Sequence, residues 1–591
     1  MSSAAATIAQ TFEQHAGKYG ARPFLKDKYQ KAWRNHSWIG ISNREQRLRG
    51  GLIRIGIAPG DRVAILAENG PHWVVFDMAV LGLGAAVVPL YTTSGLEETR
   101  HVIADSGARL IGVYGDAMVE KVRGLGEIPD VEGIIAMHPG AVAIDDSGLE
   151  VITLDQASAF DPAPAIEGKP DDLATLIYTS GTTGMPKGVM LTHGNILANC
   201  DSNREALDLG EGDTVLSFLP VAHAFERTAG YYTVMTAGGM IAYAEGLTQL
   251  AQNLIEIEPT VVLTVPRLLE VIHSRIMRTV EAGSTLRQKL FHEAIATGVR
   301  AAQYRHRGRR VPAHLALAMA LYRRLVFHRI RSIFGSRLRY LISGGAPLPV
   351  EINRLLAAAE VPIVEGYGLT EASPVVAVNL HGRTRIGTVG RPLKNVEAKA
   401  AADGELLIHG PNVMRGYYNR EEDTNEVIDA DGWLHTGDIV EIDADGFIKI
   451  TDRKKEIIVL SGGKNVSPAN LETRLVSDPY ISQACVIGDR RKHLAALLVP
   501  NFENLAEQLK GSHFAGLPHA DLVAHPKFRE LFQTRIREFN KPLSDVERIA
   551  DFKLIANPFT QENGELTPTM KLRRRVVQEH YRGEIESMYG E

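Results

Sequence analysis

Over residues 61–115 short apolar runs alternate with longer mixed ones. "DRVAILAEN" (61–69), "AAVVPLY" (85–91) and "ARLIGVYG" (108–115) are brief apolar stretches bounded by turn formers, which predicts buried strands. "PHWVVFDMAVLGLG" (71–84) and "GLEETRHVIADSG" (95–107) are long enough for helices. Strand, helix, strand in this order predicts βαβ units and largely parallel sheets. The same alternation returns at 176–193, at "PTVVLTVP" (259–266) and at "LRYLISGG" (338–345). Beyond residue 432 the pattern changes. "GWLHTGDIVEIDADGFIKITDRKKEIIVLSGGKNVSPANLE" (432–472) is dense in turns and short strands, with Asp431-Gly432 and Asp445-Gly446 as turn signals. The expected fold is α/β: a large N-terminal domain (1–454) of mixed and parallel sheets flanked by helices, then a small α+β C-terminal domain (455–591). The charged "DRKKE" (452–456) marks the boundary.

Length supports this division, since 591 residues exceed what one core holds. Composition is ordinary for a globular protein, at 45% hydrophobic and 23% charged residues, and a net charge of −5 gives no sign of a nucleic-acid partner. Two cysteines, Cys200 and Cys485, exclude a disulfide framework and fit a reducing compartment. The N-terminus lacks a basic start followed by an apolar core, so it does not read as a secretory signal. The uncharged run 78–96 holds Gly82, Gly84, Pro89 and Gly95 and reads as helix, turn and strand, not a membrane span. A cytoplasmic protein is expected, as monomer or homodimer.

One segment departs from this balance. Residues 275–331 carry thirteen Lys/Arg against two acids, Glu281 and Glu293. In "LALAMALYRRLVFHRIRSIF" the apolar residues recur at helical spacing beside the arginines. Two readings stay open: a helical face covering the domain with arginine stems packed on apolar surface, or a basic amphipathic helix lying peripherally on the inner face of a membrane.

The chemistry is concentrated in "LIYTSGTTGMPKGVMLTH" (176–193). Gly181 and Gly184 allow a sharp turn and close backbone approach. Thr179, Ser180, Thr182 and Thr183 supply hydroxyls, and Lys187 a point charge. A buried strand, a hydroxyl-rich glycine turn and a basic residue together make an anion cradle; a plain Gly/Thr surface turn is the bland alternative. The Walker pattern G-x-x-x-x-G-K-[ST] is not met. Gly181 and Lys187 keep its spacing, but Pro186 stands for the second glycine and Gly188 for the Ser/Thr.

Three more segments join this loop: "VEGYGLTEASPVV" (364–376), "GWLHTGDI" (432–439) and "TPTMKLRRR" (567–575). With "YTSGTTGMPKG" they resemble, in order and type, the adenylate-forming superfamily of acyl-CoA synthetases, luciferases and peptide-synthetase adenylation domains. "SFLPVAHAFERTAGYY" (217–232) and "LRYLISGGAPLPVEI" (338–352) are most similar to long-chain fatty-acid–CoA ligases. The resemblance implies that the loop, including Lys187, grips the β- and γ-phosphates of ATP while a carboxylate attacks the α-phosphorus. Acyl transfer to coenzyme A follows. It further implies Mg2+ held by Glu371 with Thr179 assisting, and a hydroxyl from Thr370 on the α-phosphate. Lys571 then bridges carboxylate and phosphate, and Asp438 and Arg453 meet the ribose. The adenine slot is expected from Gly344, Gly345, Ala346 and Pro347 with Glu365, Gly366, Tyr367 and Gly368. His223 borders the acyl site, or is a packed structural histidine. Lys455 matches a hinge about which the C-terminal domain swings, bringing Gly462, Gly463 and Lys464 to coenzyme A. The partners are thus small molecules. A fatty-acyl-AMP ligase feeding a carrier protein is the closest rival, although such relatives carry an insertion after the hinge that "DRKKEIIVLSGGKNVSP" lacks. A luciferase-type oxygenase and a fatty-acid-binding membrane module without catalysis are the others.

Overall fold

A computed structural model describes residues 6–126, 128, 130–138, 150–179, 185–306, 309–380, 384–454, 456–462, 464–509, 514, 516–567 and 570–590. The chain divides into two compact units. The first comprises residues 1–399, 407–436 and 442–449, and the second residues 400–406, 437–441 and 450–591.

The first unit is built on two sheets. One has nine strands in the order Arg391–Pro392, Val375–Val378, Ile363–Gly368, Tyr340–Ser343, Val261–Thr264, Thr214–Ser217, Met240–Tyr243, Pro23–Tyr29 and Ala32–Ser37. Its central pairings, from Ile363–Gly368 to Pro23–Tyr29, are all parallel. The other has eight strands: Gly416–Tyr417, Lys187–Thr192, Leu173–Thr179, Ala86–Leu90, Arg62–Leu66, Leu110–Val113, Gly133–Ala136 and Glu150–Thr153. It is parallel from Leu173–Thr179 outward, and antiparallel where Lys187–Thr192 pairs on both sides. The three apolar runs of the opening alternation are thus parallel neighbours in one sheet, and the two longer runs are the helices Pro71–Gly82 and Leu96–Ser106. Parallel strands are covered on both faces, which is why they read as continuous apolar runs.

A buried polar cluster joins the two sheets. Arg227 follows the strand Thr214–Ser217, in a π-helical stretch Glu226–Tyr232. Its guanidinium donates to Asp77 Oδ1 at 2.5 Å and to Thr175 Oγ1 at 2.7 Å, and Thr175 lies in the second sheet. Tyr232 donates its hydroxyl to Asp77 Oδ2 at 2.8 Å. A buried arginine is tolerable only with such a paired, hydrogen-bonded carboxylate.

The second unit holds the three-stranded sheet Ile481–Ile487, Leu494–Pro500, Ile549–Leu554, antiparallel then parallel, packed with the helices Pro468–Leu475 and Pro526–Asn540 around Leu471, Val486, Leu498, Phe528 and Phe532. Arg574 reaches its interior and forms a fork with Glu472, at 2.5 and 2.9 Å. No described helix is long and apolar enough to cross a membrane.

Candidate active site

The strands that flank the candidate anion loop are antiparallel to each other, so it does not join a strand to a helix. Leu173–Thr179 and Lys187–Thr192 form a hairpin in which Thr179 faces Lys187 and Tyr178 faces Gly188. Ser180, Gly181, Thr182, Thr183 and Gly184 lie outside the described residues. The loop's exit is held by His101, whose Nε2 lies 3.0 Å from the Pro186 carbonyl. The residue that breaks the Walker pattern has a packing reason. A Cβ on Gly188 would sit 2.9 Å from Cζ of Tyr178, and that ring is anchored by its hydroxyl on Asp105 at 2.7 Å. A serine or threonine there collides with a fixed aromatic ring.

Around Lys187 the structure gathers an ionic cluster. The Lys187 ammonium lies 2.5 Å from Asp423 Oδ1 and 5.3 Å from the centre of the Tyr417 ring. Tyr417 donates its hydroxyl to Glu371 Oε1 at 2.9 Å; burial and that carboxylate together raise its pKa. Gly416–Tyr417 is itself an edge strand beside the hairpin, with Tyr417 opposite Val189. Asp423 sits in the first turn of the helix Glu421–Val427. Thr179, Lys187, Thr370 and Glu371 are therefore brought to one region, since Thr370 and Glu371 share the turn Thr370–Ala372. Tyr417 and Asp423, which tie the cluster together, were not anticipated. Their signal, "GYYNREED" (416–423), is a tyrosine pair before an acidic run, and nothing in it separates them from an ordinary helix start.

The predicted adenine loops emerge from adjacent parallel strands. Ser343 pairs with Glu365, so Gly344, Gly345, Ala346 and Pro347 leave one strand end while Gly366, Tyr367 and Gly368 extend the next. Gly344 is backed by Phe225, whose ring would lie 3.0 Å from any Cβ. Glu365 accepts from Asn353 Nδ2 at 2.6 Å, and burial pushes its pKa up to about 7. His223 Nδ1 accepts from the Phe225 amide at 3.2 Å, so one ring nitrogen serves the local turn.

In the second unit the buried Asp438 carboxylate accepts from Arg453 Nε at 2.9 Å. The adjacent Lys454 is anchored by Asp403 at 2.7 Å and Glu405 at 2.9 Å. Lys455 and Gly463 lie outside the described residues. Gly462 and Lys464 are exposed. Lys571 is exposed on a tight turn: its amide donates to Thr567 Oγ1 at 3.0 Å and its carbonyl accepts from the Thr567 amide at 2.8 Å.

The site suits Mg2+ in one respect. Glu371 is an oxygen donor with capacity left after accepting one hydrogen bond. Among the described residues no group of three or more His, Cys, Asp or Glu gathers to cage a metal.

Two mixed sheets and a smaller α+β unit define the architecture of an adenylation domain. The chain is similar to the crystal structure of the adenylation domain of a carboxylate reductase from Mycobacterium chelonae, with a TM-score of 0.79 at 24% identity over 99% of this chain and 91% of that one. In sequence it is 36% identical to the long-chain-fatty-acid–CoA ligase FadD15 of Mycobacterium bovis, over 94% of this chain and 92% of that protein. It is 32% identical to the peroxisomal long chain acyl-CoA synthetase 6 of Arabidopsis thaliana, over 92% and 80%. Residues 12–418 match the AMP-binding enzyme family and residues 455–591 the AMP-binding enzyme C-terminal domain, and the chain belongs to this family.

Proposed function

We propose that this chain is an AMP-forming long-chain fatty-acid–CoA ligase. Its relatives bear that activity in their names, and one observation of the site carries the reading: Lys187, at the exit of the hairpin loop, shares a cluster with Glu371 through Tyr417. A carboxylate attacking a triphosphate joins two anions, so the site must neutralise charge and align the reacting atoms. Lys187 and the hydroxyls of Ser180, Thr182 and Thr183 hold the β- and γ-phosphates. A carboxylate oxygen of the fatty acid attacks the α-phosphorus, and the bond to the bridging oxygen breaks. Pyrophosphate leaves with the electron pair. Thr370 donates to the α-phosphate, and we assign Lys571 to neutralising the two reacting anions and Asp438 with Arg453 to the ribose. Glu371, with Thr179 assisting, would hold Mg2+, which would supply further positive charge to the phosphates. In the second half-reaction the thiolate of coenzyme A attacks the acyl carbonyl and AMP departs. We assign this step to residues 455–591, swung about Lys455, with Gly462, Gly463 and Lys464 at the coenzyme. A cytoplasmic location belongs to the same reading, since Cys200 and Cys485 are both buried and unbridged.

The test measures pyrophosphate release and thioester formation by the full chain with ATP, Mg2+ and fatty acids of graded length, with and without coenzyme A. Long-chain acids are expected to react best, and thioester to need coenzyme A. Lys571→Ala abolishes adenylate formation and largely spares conversion of a preformed acyl-adenylate to acyl-CoA. Equal loss of both steps removes that role. Adenylate formation without thioester makes the chain a fatty-acyl-AMP ligase, and no pyrophosphate release under any condition leaves a binding module.

A further inference from the structure

The helical run Ala313–Tyr322, Arg323–Phe327, His328–Arg331 has one face in the core, where Leu315, Met319, Phe327 and Ile330 are buried. The opposite side carries Leu317, Leu321 and Leu325, spaced four residues apart and 76%, 55% and 51% exposed. Single exposed leucines are common on soluble proteins, but a line of three along one helix is a contiguous apolar stripe. The charges beside it are also unevenly used. Arg305, Arg323 and Arg331 converge on Glu360 at 2.5, 2.6 and 3.7 Å. Arg309, Arg310, Arg324 and Arg329 are exposed and make no ion pair among the described residues. From residue 294 to 331 the chain has no acid at all. The packing thus accommodates both readings of the basic segment: one side covers the domain, and the other presents leucines and unpaired arginines to solvent.

We propose that this face docks on an anionic lipid bilayer, with Leu317, Leu321 and Leu325 entering the headgroup–acyl boundary and Arg324 and Arg329 meeting lipid phosphates. Apolar side chains on a helix lying in the interface, ringed by arginines whose stems reach upward to the phosphates, bind by buried apolar area plus attraction to anionic lipid. A second copy of the chain fits the face less well. A two-fold contact sets the same patch against itself, so unpaired arginines would oppose arginines. The inference is independent of the acyl substrate and stands on this surface alone.

The experiment is flotation of the full chain with phosphatidylcholine vesicles, with and without phosphatidylglycerol. Wild type is expected to float with the anionic vesicles and weakly with the neutral ones. Leu317→Gln/Leu321→Gln/Leu325→Gln keeps good helix formers on the exposed face and should lose binding to both. Arg324→Gln/Arg329→Gln should lose the preference for anionic lipid, by ~25-fold at about fivefold per charge near the surface. A melting curve and pyrophosphate release with a water-soluble acid should match wild type for both variants. If the leucine variant melts early, the arginine variant, which alters no apolar residue, decides alone. Wild type that does not float, a folded leucine variant that floats like wild type, or binding indifferent to phosphatidylglycerol overturns the proposal. So does light scattering that finds a wild-type dimer which the leucine substitutions dissociate.

Discussion

Replacing Lys187 by alanine separates a phosphate donor from a structural ion pair, because the two roles differ in size. The Lys187 and Asp423 side chains are 38% and 28% exposed, so solvent screens their pair and it contributes ~0.2–1 kcal/mol to stability. The cation over the Tyr417 ring adds about 0.5–1 kcal/mol. A preorganised charged donor on the departing β- and γ-phosphates is worth ~3 kcal/mol in the transition state, or ~100-fold in rate. Lys187→Ala should therefore lower kcat/KM for ATP by ~100-fold while costing less than about 2 kcal/mol of folding free energy. Asp423→Asn releases the ammonium without removing it. Its kcat/KM should stay within ~5-fold of wild type, since the pair it breaks is worth at most about 1 kcal/mol. In the double variant Asp423 no longer stands uncompensated beside the phosphates, so it should recover part of the loss of Lys187→Ala. Steady-state pyrophosphate release against ATP concentration, with denaturant unfolding of each variant, measures all of these. Equal kinetic effects of the two single substitutions, or an unchanged ATP dependence in Lys187→Ala, would refute the phosphate role.

Two further expectations concern stability. Glu226 is buried with no close hydrogen bond to its carboxyl oxygens among the described residues, and burial pushes its pKa up from 4.5 to about 8 against a smaller pull from Ser217. The unfolded chain then loses this proton before the folded one does, so stability falls as pH rises from 4.5 to 8 and levels off above that. Glu226→Gln should remove this slope and gain on wild type by at most about 5 kcal/mol above pH 8, at about 1.4 kcal/mol per pKa unit; parallel denaturation midpoints for the two proteins between pH 5 and pH 8 would show the reasoning to be wrong. Gly188→Ser drives a Cβ against the Tyr178 ring that Asp105 anchors, and should cost ~1–3 kcal/mol as an overpacked site. An unfolding midpoint equal to wild type would mean that the ring yields freely.

The strand and helix runs of residues 61–115 were legible because burial on both faces makes a parallel strand continuously apolar, a local signal that needs no knowledge of its neighbours. The candidate phosphate loop, Glu371, Asp438 and Lys571 were singled out for a different reason: they stand in short motifs of particular residue types that follow one another in a fixed order. Sequence also ruled out a Walker loop at Gly188, but only the hairpin showed why, because Tyr178 lies across the ladder from it. Tyr417 and Asp423 carried no local signal. Their positions matter through residues 46 and 236 places away, Glu371 and Lys187, and long-range pairing of this kind leaves no periodicity behind. Glu226 read as one more charged residue of a motif until the fold enclosed it. The segment 275–331 shows the division most plainly. Its charge and helical spacing were written in the chain, yet both a covering helix and a surface helix satisfy that pattern. Which leucines face inward depends on where the helix lies over the core, and that is fixed by packing against residues far away in sequence.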